Sequence, residues 1–115
     1  MQKLQNYFIR NSKIEEITAY GSIGTQCFYY CTKLKYITLE ESVDQININA
    51  FQNCSTLKWI EFKSTTPPIF VTNDMFNSAS NDWKIYVPNS AVDAYRTATN
   101  LSQYADRIFP VSERP

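Results

Sequence analysis

Histidine is absent from this 115-residue chain and glycine occurs only twice, and these two shortages exclude several common chemistries at once. Without imidazole there is no Ser-His-Asp or Cys-His nucleophile system, and no zinc site that relies on a ring nitrogen. With glycine confined to Gly21 and Gly24, no glycine-rich loop is present to wrap backbone N–H groups around a phosphate. Neither sign of charge is in excess: 11 basic and 11 acidic residues give a formal net charge of zero. So balanced a chain presents no polyelectrolyte surface, and nucleic acid is not expected as a partner. No apolar run approaches the roughly 18 residues of a membrane span, so membrane insertion is not expected either. The opening stretch MQKLQNYFIR lacks the apolar segment of a secretory signal. An odd number of cysteines (Cys27, Cys31 and Cys54) argues against a disulfide framework, and three thiols with no histidine make a poor metal set. Glu15, Glu16, Glu40, Glu41 and Glu61 fall into no recognisable acid–base motif. An enzyme is therefore not expected, and no cofactor is implied.

What the chain does contain is a repeat. FYYCTKLKYITL, from Phe28, and FQNCSTLKWIEF, from Phe51, share the frame Phe-x-x-Cys-x-x-Leu-Lys-x-Ile-x-apolar. Phe28, Cys31, Leu34, Ile37 and Leu39 recur as Phe51, Cys54, Leu57, Ile60 and Phe62, all at one offset (51 − 28 = 23), and Ile23 and Ile46 obey it too. Upstream, Phe8, Asn11, Ile14, Ile17 and Ala19 keep the internal spacing in a shortened unit. Downstream, Phe76, Ala79, Asp82, Ile85 and Val87 form a degraded copy in which Asp82 breaks the leucine position. Periods of about 20–29 residues with an L-x-x-L-x-L core are the mark of leucine-rich repeats. The expected fold is a right-handed repeat solenoid with short parallel strands and helical turns. One strand lies in each rung, with apolar residues at period two pointing inward. Ala50, Phe51 and Cys54 have the three-residue spacing of a short helical turn on the opposite side. A single rung cannot bury its own apolar face, so stacking must supply the core.

The stretches CFYYCTKLKYITL (27–39) and AFQNCSTLKWIEF (50–62) closely resemble the BspA-like, Treponema-type leucine-rich repeats. STTPPIF (64–70) followed by IYVPNSAVDAYRTA (85–98) resembles the terminating segment common in that family. Two departures are Glu40-Glu41 in place of a proline after the strand, and the shortened first repeat. The resemblance implies a bacterial cell-surface or secreted protein with adhesion or host-interaction roles.

The chain is expected to form one domain, 1–115, with repeats over about 7–88 and a C-terminal cap over 89–115. Pro67-Pro68 interrupts the strand pattern and forces an extended passage. After Pro88, Ser90 with Asp93 has the spacing of a capping box, and Val92, Tyr95 and Ala98 fall on one helical face. Leu101–Ile108 suggests a second helical turn that places Tyr104 and Ile108 inward. At the other end the first rung presents a bare parallel edge. Three explanations stand open: more repeats upstream, end-to-end self-association through that rung, or a crude cover by Leu4, Tyr7 and Phe8.

Alignment on the isoleucines predicts the outward columns of the sheet. The first is Glu16, Tyr36, Trp59, Lys84; the second is Thr18, Thr38, Glu61, Tyr86; the third is Tyr20, Glu40, Lys63, Pro88. Strands about 4.8 Å apart would bring Tyr36 beside Trp59 with Tyr86 diagonal to both. Exposed aromatics of this kind are typical of binding hot spots, yet they also pair across strands for stability alone. The candidate partner surface is therefore Glu16, Tyr36, Thr38, Trp59, Glu61, Lys84 and Tyr86, and its partner a protein or a glycan. The alternative is a structural terminating segment of a longer array with no binding role of its own. Glu40 and Lys63 should form a solvated cross-strand ion pair. Cys31 and Cys54 share one register position a rung apart, and buried thiols are expected there in preference to a disulfide.

Overall fold

In a computed structural model, residues 2, 3, 13–25, 27, 28, 30–77 and 79–115 are described. Phe8 and Asn11 of the first repeat, and Leu4, Tyr7 and Phe8 of the suggested cover, lie outside them. The strands are β1 (Gln2–Lys3), β2 (Glu16–Tyr20), β3 (Tyr36–Leu39), β4 (Gln45–Ile46), β5 (Trp59–Phe62), β6 (Ile69–Phe70), β7 (Lys84–Val87) and β8 (Ile108–Pro110). Six of them form one parallel sheet in the order β1-β2-β3-β5-β7-β8, and β4 and β6 form a second, two-stranded one.

The repeat offset dictates this register. Ile17 pairs with Ile37, Ile37 with Ile60, and Ile60 with Ile85, so a column of β-branched side chains runs through the core with every member buried. Alternation does the rest: Ala19, Leu39, Phe62 and Val87 point inward beside them, while the residues between face out. The Ile23–Ile46 coincidence becomes a second ladder. Ile23 bridges Ile46, and Ile46 pairs with Phe70. Pro67-Pro68 precedes that last strand, as the proline pair requires.

The phenylalanine of the repeat builds a third line of contacts. Phe51 stacks on Phe28 at 5.4 Å and 7°, and on Phe76 at 5.0 Å and 10°. Backbone bonds follow the same line, with the Phe28 N–H donating to Ala50 O at 2.8 Å and the Phe51 N–H to Met75 O at 3.0 Å. Here the structure corrects the sequence expectation: Ala50–Cys54 is a succession of hydrogen-bonded turns, not a helical turn. Asn49 and Asn53 adopt positive φ of 58° and 62°, which ends any right-handed helical run. The Phe51 and Asn53 N–H groups bond across to Met75 O and Asn77 O of the next rung, at 3.0 and 2.9 Å, instead of up a helix. The thiols of Cys27, Cys31 and Cys54 are all buried and outside any disulfide. The Cys54 thiol donates to Phe28 O at 2.9 Å, tying one rung to the previous one.

In the degraded fourth copy Asp82 is exposed, and Trp83 fills the core beside it, stacked on Phe76 at 4.1 Å and 16°. The C-terminal segment differs from expectation in two places. Its α-helix, α1, covers only Val92–Arg96 and has no side-chain cap, so the Ser90–Asp93 capping box does not form. The Ala91 N–H bonds to Pro88 O at 2.8 Å, which opens a 3-10 turn over Asn89–Ala91 before the α-helix begins. Ser90 is thereby placed inside a turn, away from the N-cap position. Tyr95 is fully buried as its spacing implies, and its hydroxyl donates to Ser64 O at 2.8 Å. Leu101–Ile108 is likewise not one helical unit. A 3-10 segment covers Ser102–Arg107, and Ile108 opens a strand that pairs with Ile85. Pro110 ends that strand at the sheet edge, where its missing N–H costs nothing.

The first rung is not bare. Gln2 and Lys3 pair in parallel with Ala19 and Tyr20, so backbone covers that end of β2.

Candidate functional site

The outward face of the six-stranded sheet has the columns that isoleucine alignment predicts. Glu16, Tyr36, Trp59 and Lys84 are successive register partners, as are Thr18, Thr38, Glu61 and Tyr86. Parallel strands in register place like positions side by side, and the aromatics meet. The Tyr36 and Trp59 rings are 5.1 Å apart and tilted by 41°, and Trp59 meets Tyr86 edge-on at 6.3 Å and 83°. Thr38 stands half-buried between Thr18 and Glu61. Glu16 is exposed at the start of its column, and Lys84 is exposed at the other end.

One predicted member is not an open surface residue. Tyr86 is outward-facing but only 5% exposed. The cause is the C-terminal segment, which folds across this end of the face. Phe109 of β8 comes to 6.3 Å from the Tyr86 ring. A 3-10 turn over Val111–Glu113 follows and brings Arg114 over the sheet. Burial pushes the Tyr86 hydroxyl above the usual tyrosine range, with the Glu113 carboxylate adding to the shift and Arg114 opposing it.

Arg114 is the residue of the candidate face that the repeat pattern misses. Its guanidinium carbon sits 4.7 Å from the Trp59 ring centroid, and its Nε reaches Glu61 Oε1 at 3.1 Å. The Ser112 N–H donates to Asn89 Oδ1 at 3.1 Å, anchoring the turn. Lys84 turns toward the same added strand, with Nζ 5.7 Å from the Phe109 centroid. A sequence signal for β8 exists: Ile108 follows Ile85 at the repeat offset (108 − 85 = 23). Nothing periodic points to Arg114. Glu40 and Lys63 form the expected pair at 3.3 Å, and Glu15 pairs with Lys35 at 3.1 Å; both pairs are exposed enough to contribute little.

Cys27 and Cys54 offer no nucleophile. Burial pushes Cys27 up to about 12, and Cys54 is raised further by the same cause, so both stay protonated at neutral pH and inert.

Rungs in register, an outward aromatic column and a buried isoleucine ladder define a leucine-rich-repeat protein. A family model described as a BspA type leucine rich repeat region matches residues 21–105 in 6 copies, and the chain belongs to that family. Membership of this family suggests a protein-interaction or adhesion-type repeat module; the family is generally non-enzymatic and often surface-associated. No curated protein matches the chain in sequence. Among the described residues no helix is long and apolar enough to cross a membrane.

Proposed function

We propose that this chain is a binding module of a bacterial surface-type leucine-rich-repeat protein, and that the outward face of its six-stranded sheet holds a protein or a glycan. The observation that carries the reading is the contact of Tyr36 with Trp59 at 5.1 Å, on a face that also presents Glu16, Thr18, Thr38, Glu61 and Lys84. Both residues are half-buried, so each leaves part of its area open to solvent. Rigid aromatic area with a polar edge is what dominates binding hot spots, and it also stacks on sugar rings. Cross-strand pairing alone would account for only about 0.2–1 kcal/mol of sheet stability. In this reading the rungs form one right-handed solenoid, and residues 89–115 close its C-terminal end.

One observation favours a second reading, in which the chain is the terminating section of a longer array. Segment 108–114 adds the last strand and covers Tyr86, as a stopper for an open sheet edge would. Arrays of glycans and extracellular-matrix proteins, probed with wild type and with Tyr36→Ala/Trp59→Ala, separate the two. Binding that disappears in the folded double variant supports the strand face. Binding that persists moves the site elsewhere, and a folded wild type that binds nothing favours the terminating section.

A further inference from the structure

The residue that covers the face also indicates what the face takes. Trp59 and Glu61 are alternate residues of β5, so an indole ring and a carboxylate project to the same side from Cα atoms about 6.6 Å apart. Arg114 uses both, stacking at 4.7 Å on the ring and pairing at 3.1 Å with the carboxylate. A guanidinium is the side-chain cation best matched to this pair. It is flat enough to stack on an indole while its fork of N–H donors stays directed at the carboxylate. The Glu61 side chain is only 14% exposed, which weakens competition from water and strengthens its attraction for a paired cation. Tyr36 lengthens the aromatic wall on the far side of Trp59.

The occupant is placed to come and go. Ser112, Glu113 and Arg114 are exposed, and the Ser112–Asn89 bond that anchors the turn is open to solvent. Water can replace such a bond at little cost.

We propose that Trp59 and Glu61 form an arginine-recognition site which Arg114 fills in cis, and that the partner of this face is a protein segment carrying an arginine that displaces the turn over residues 111–114. This rests on the strand-face reading and adds the chemistry of the partner. Lysine would satisfy the charge of Glu61 but has no plane to lay on the indole. A neutral sugar would stack but leave the carboxylate without a cation.

Tryptophan indole N–H signals in the NMR spectrum of the full chain test this directly. The sequence has two tryptophans, and Trp83, already covered by Arg107 at 4.3 Å, serves as internal reference. Arg114→Ala is titrated with acetyl-glycyl-arginyl-glycinamide and with its lysyl counterpart. The Trp59 signal should move saturably with the arginyl peptide, about tenfold more weakly with the lysyl one, while Trp83 stays still. Wild type should need roughly tenfold more peptide, because its own arginine competes at high effective concentration. Adding Glu61→Gln to Arg114→Ala should remove the response. A folded Arg114→Ala whose Trp59 signal ignores the arginyl peptide, or that answers lysine equally, overturns the proposal. Arrays probed with the same variant separate the two levels. A ligand lost with Tyr36→Ala/Trp59→Ala but no arginyl response overturns arginine recognition and leaves the strand face standing; silence in both assays removes both.

Discussion

Phe51 occupies the middle of the phenylalanine stack, and its removal should be among the costliest single changes in the chain. It is fully buried, with Phe28 on one face at 5.4 Å and Phe76 on the other at 5.0 Å, both nearly parallel to it. Phe51→Ala therefore loses the transfer energy of a whole ring and both stacking contacts, and it opens a cavity between two rungs that backbone bonds hold apart. Buried Phe→Ala changes cost about 3–5 kcal/mol. The two-sided stack and the fixed rung spacing put this one near 4 kcal/mol, because the neighbouring rings cannot collapse into the gap. Domains of this size have total stabilities of about 6–17 kcal/mol, so a quarter or more would go. At an unfolding entropy near 0.24 kcal/mol/K for this length, the melting temperature should fall by about 17 °C. Phe51→Leu, which keeps most of the volume and loses only the ring contacts, should cost about 1–2 kcal/mol. Thermal and urea unfolding followed by circular dichroism measure both. If Phe51→Ala melts within about 3 °C of wild type, the reasoning from the stacked column is wrong.

Leu57 is fully buried in the same rung as Phe51, and Leu57→Ala should cost about 2–5 kcal/mol in the same urea experiment. Trp59→Ala, on the outward face, should lower stability by no more than about 1 kcal/mol, while abolishing ligand capture on the arrays. Asn53 holds a φ of 62°, so Asn53→Gly should be nearly neutral and Asn53→Ala should cost about 1 kcal/mol; equal melting of the two would argue against that backbone. Burial raises Cys27 from its ordinary 9.0 to about 12, so the folded state keeps a proton that the unfolded chain releases. That stability is fully present below pH 9 and is lost as pH rises toward 12. Urea midpoints should accordingly fall over that range and recover part of the loss in Cys27→Ala, and a thiol reagent should label the native protein far more slowly than the unfolded one.

Much of the architecture was legible because a repeat states one environment several times over. Ile37 and Ile60 each identify a buried inward strand position, and their shared offset fixes the register between strands, so both outward columns follow from arithmetic. Phe28 and Phe51 were legible as core by the same means. The convex turn was not, because three-residue spacing at Ala50, Phe51 and Cys54 fits a helix as well as a chain of turns. The difference lies in the positive φ of Asn49 and Asn53 and in bonds to the neighbouring rung, which single-rung spacing does not encode. Ile108 sits at the repeat offset from Ile85, yet the 3-10 segment before it has helix-like spacing, and the local pattern masks the long-range one. The burial of Tyr86 and the seat of Arg114 come from a segment folding back across the sheet. That contact joins residues with no periodic relation, so no pattern along the chain announces it.

The claim that the outward face of the main sheet is the partner surface has a competitor in the same molecule. The second sheet exposes Ile69, and Val71 just beyond its strand is also exposed, with Ile69 at 66% the more open, and a sticky apolar edge could capture ligands by itself. Comparing Thr38→Arg with Ile69→Arg on the glycan and matrix-protein arrays decides between them. Thr38 lies at the centre of the main face between Thr18 and Glu61, so an arginine there should block docking, while Ile69→Arg should leave binding unchanged. Binding that survives Thr38→Arg in a folded protein and fails with Ile69→Arg would contradict the account.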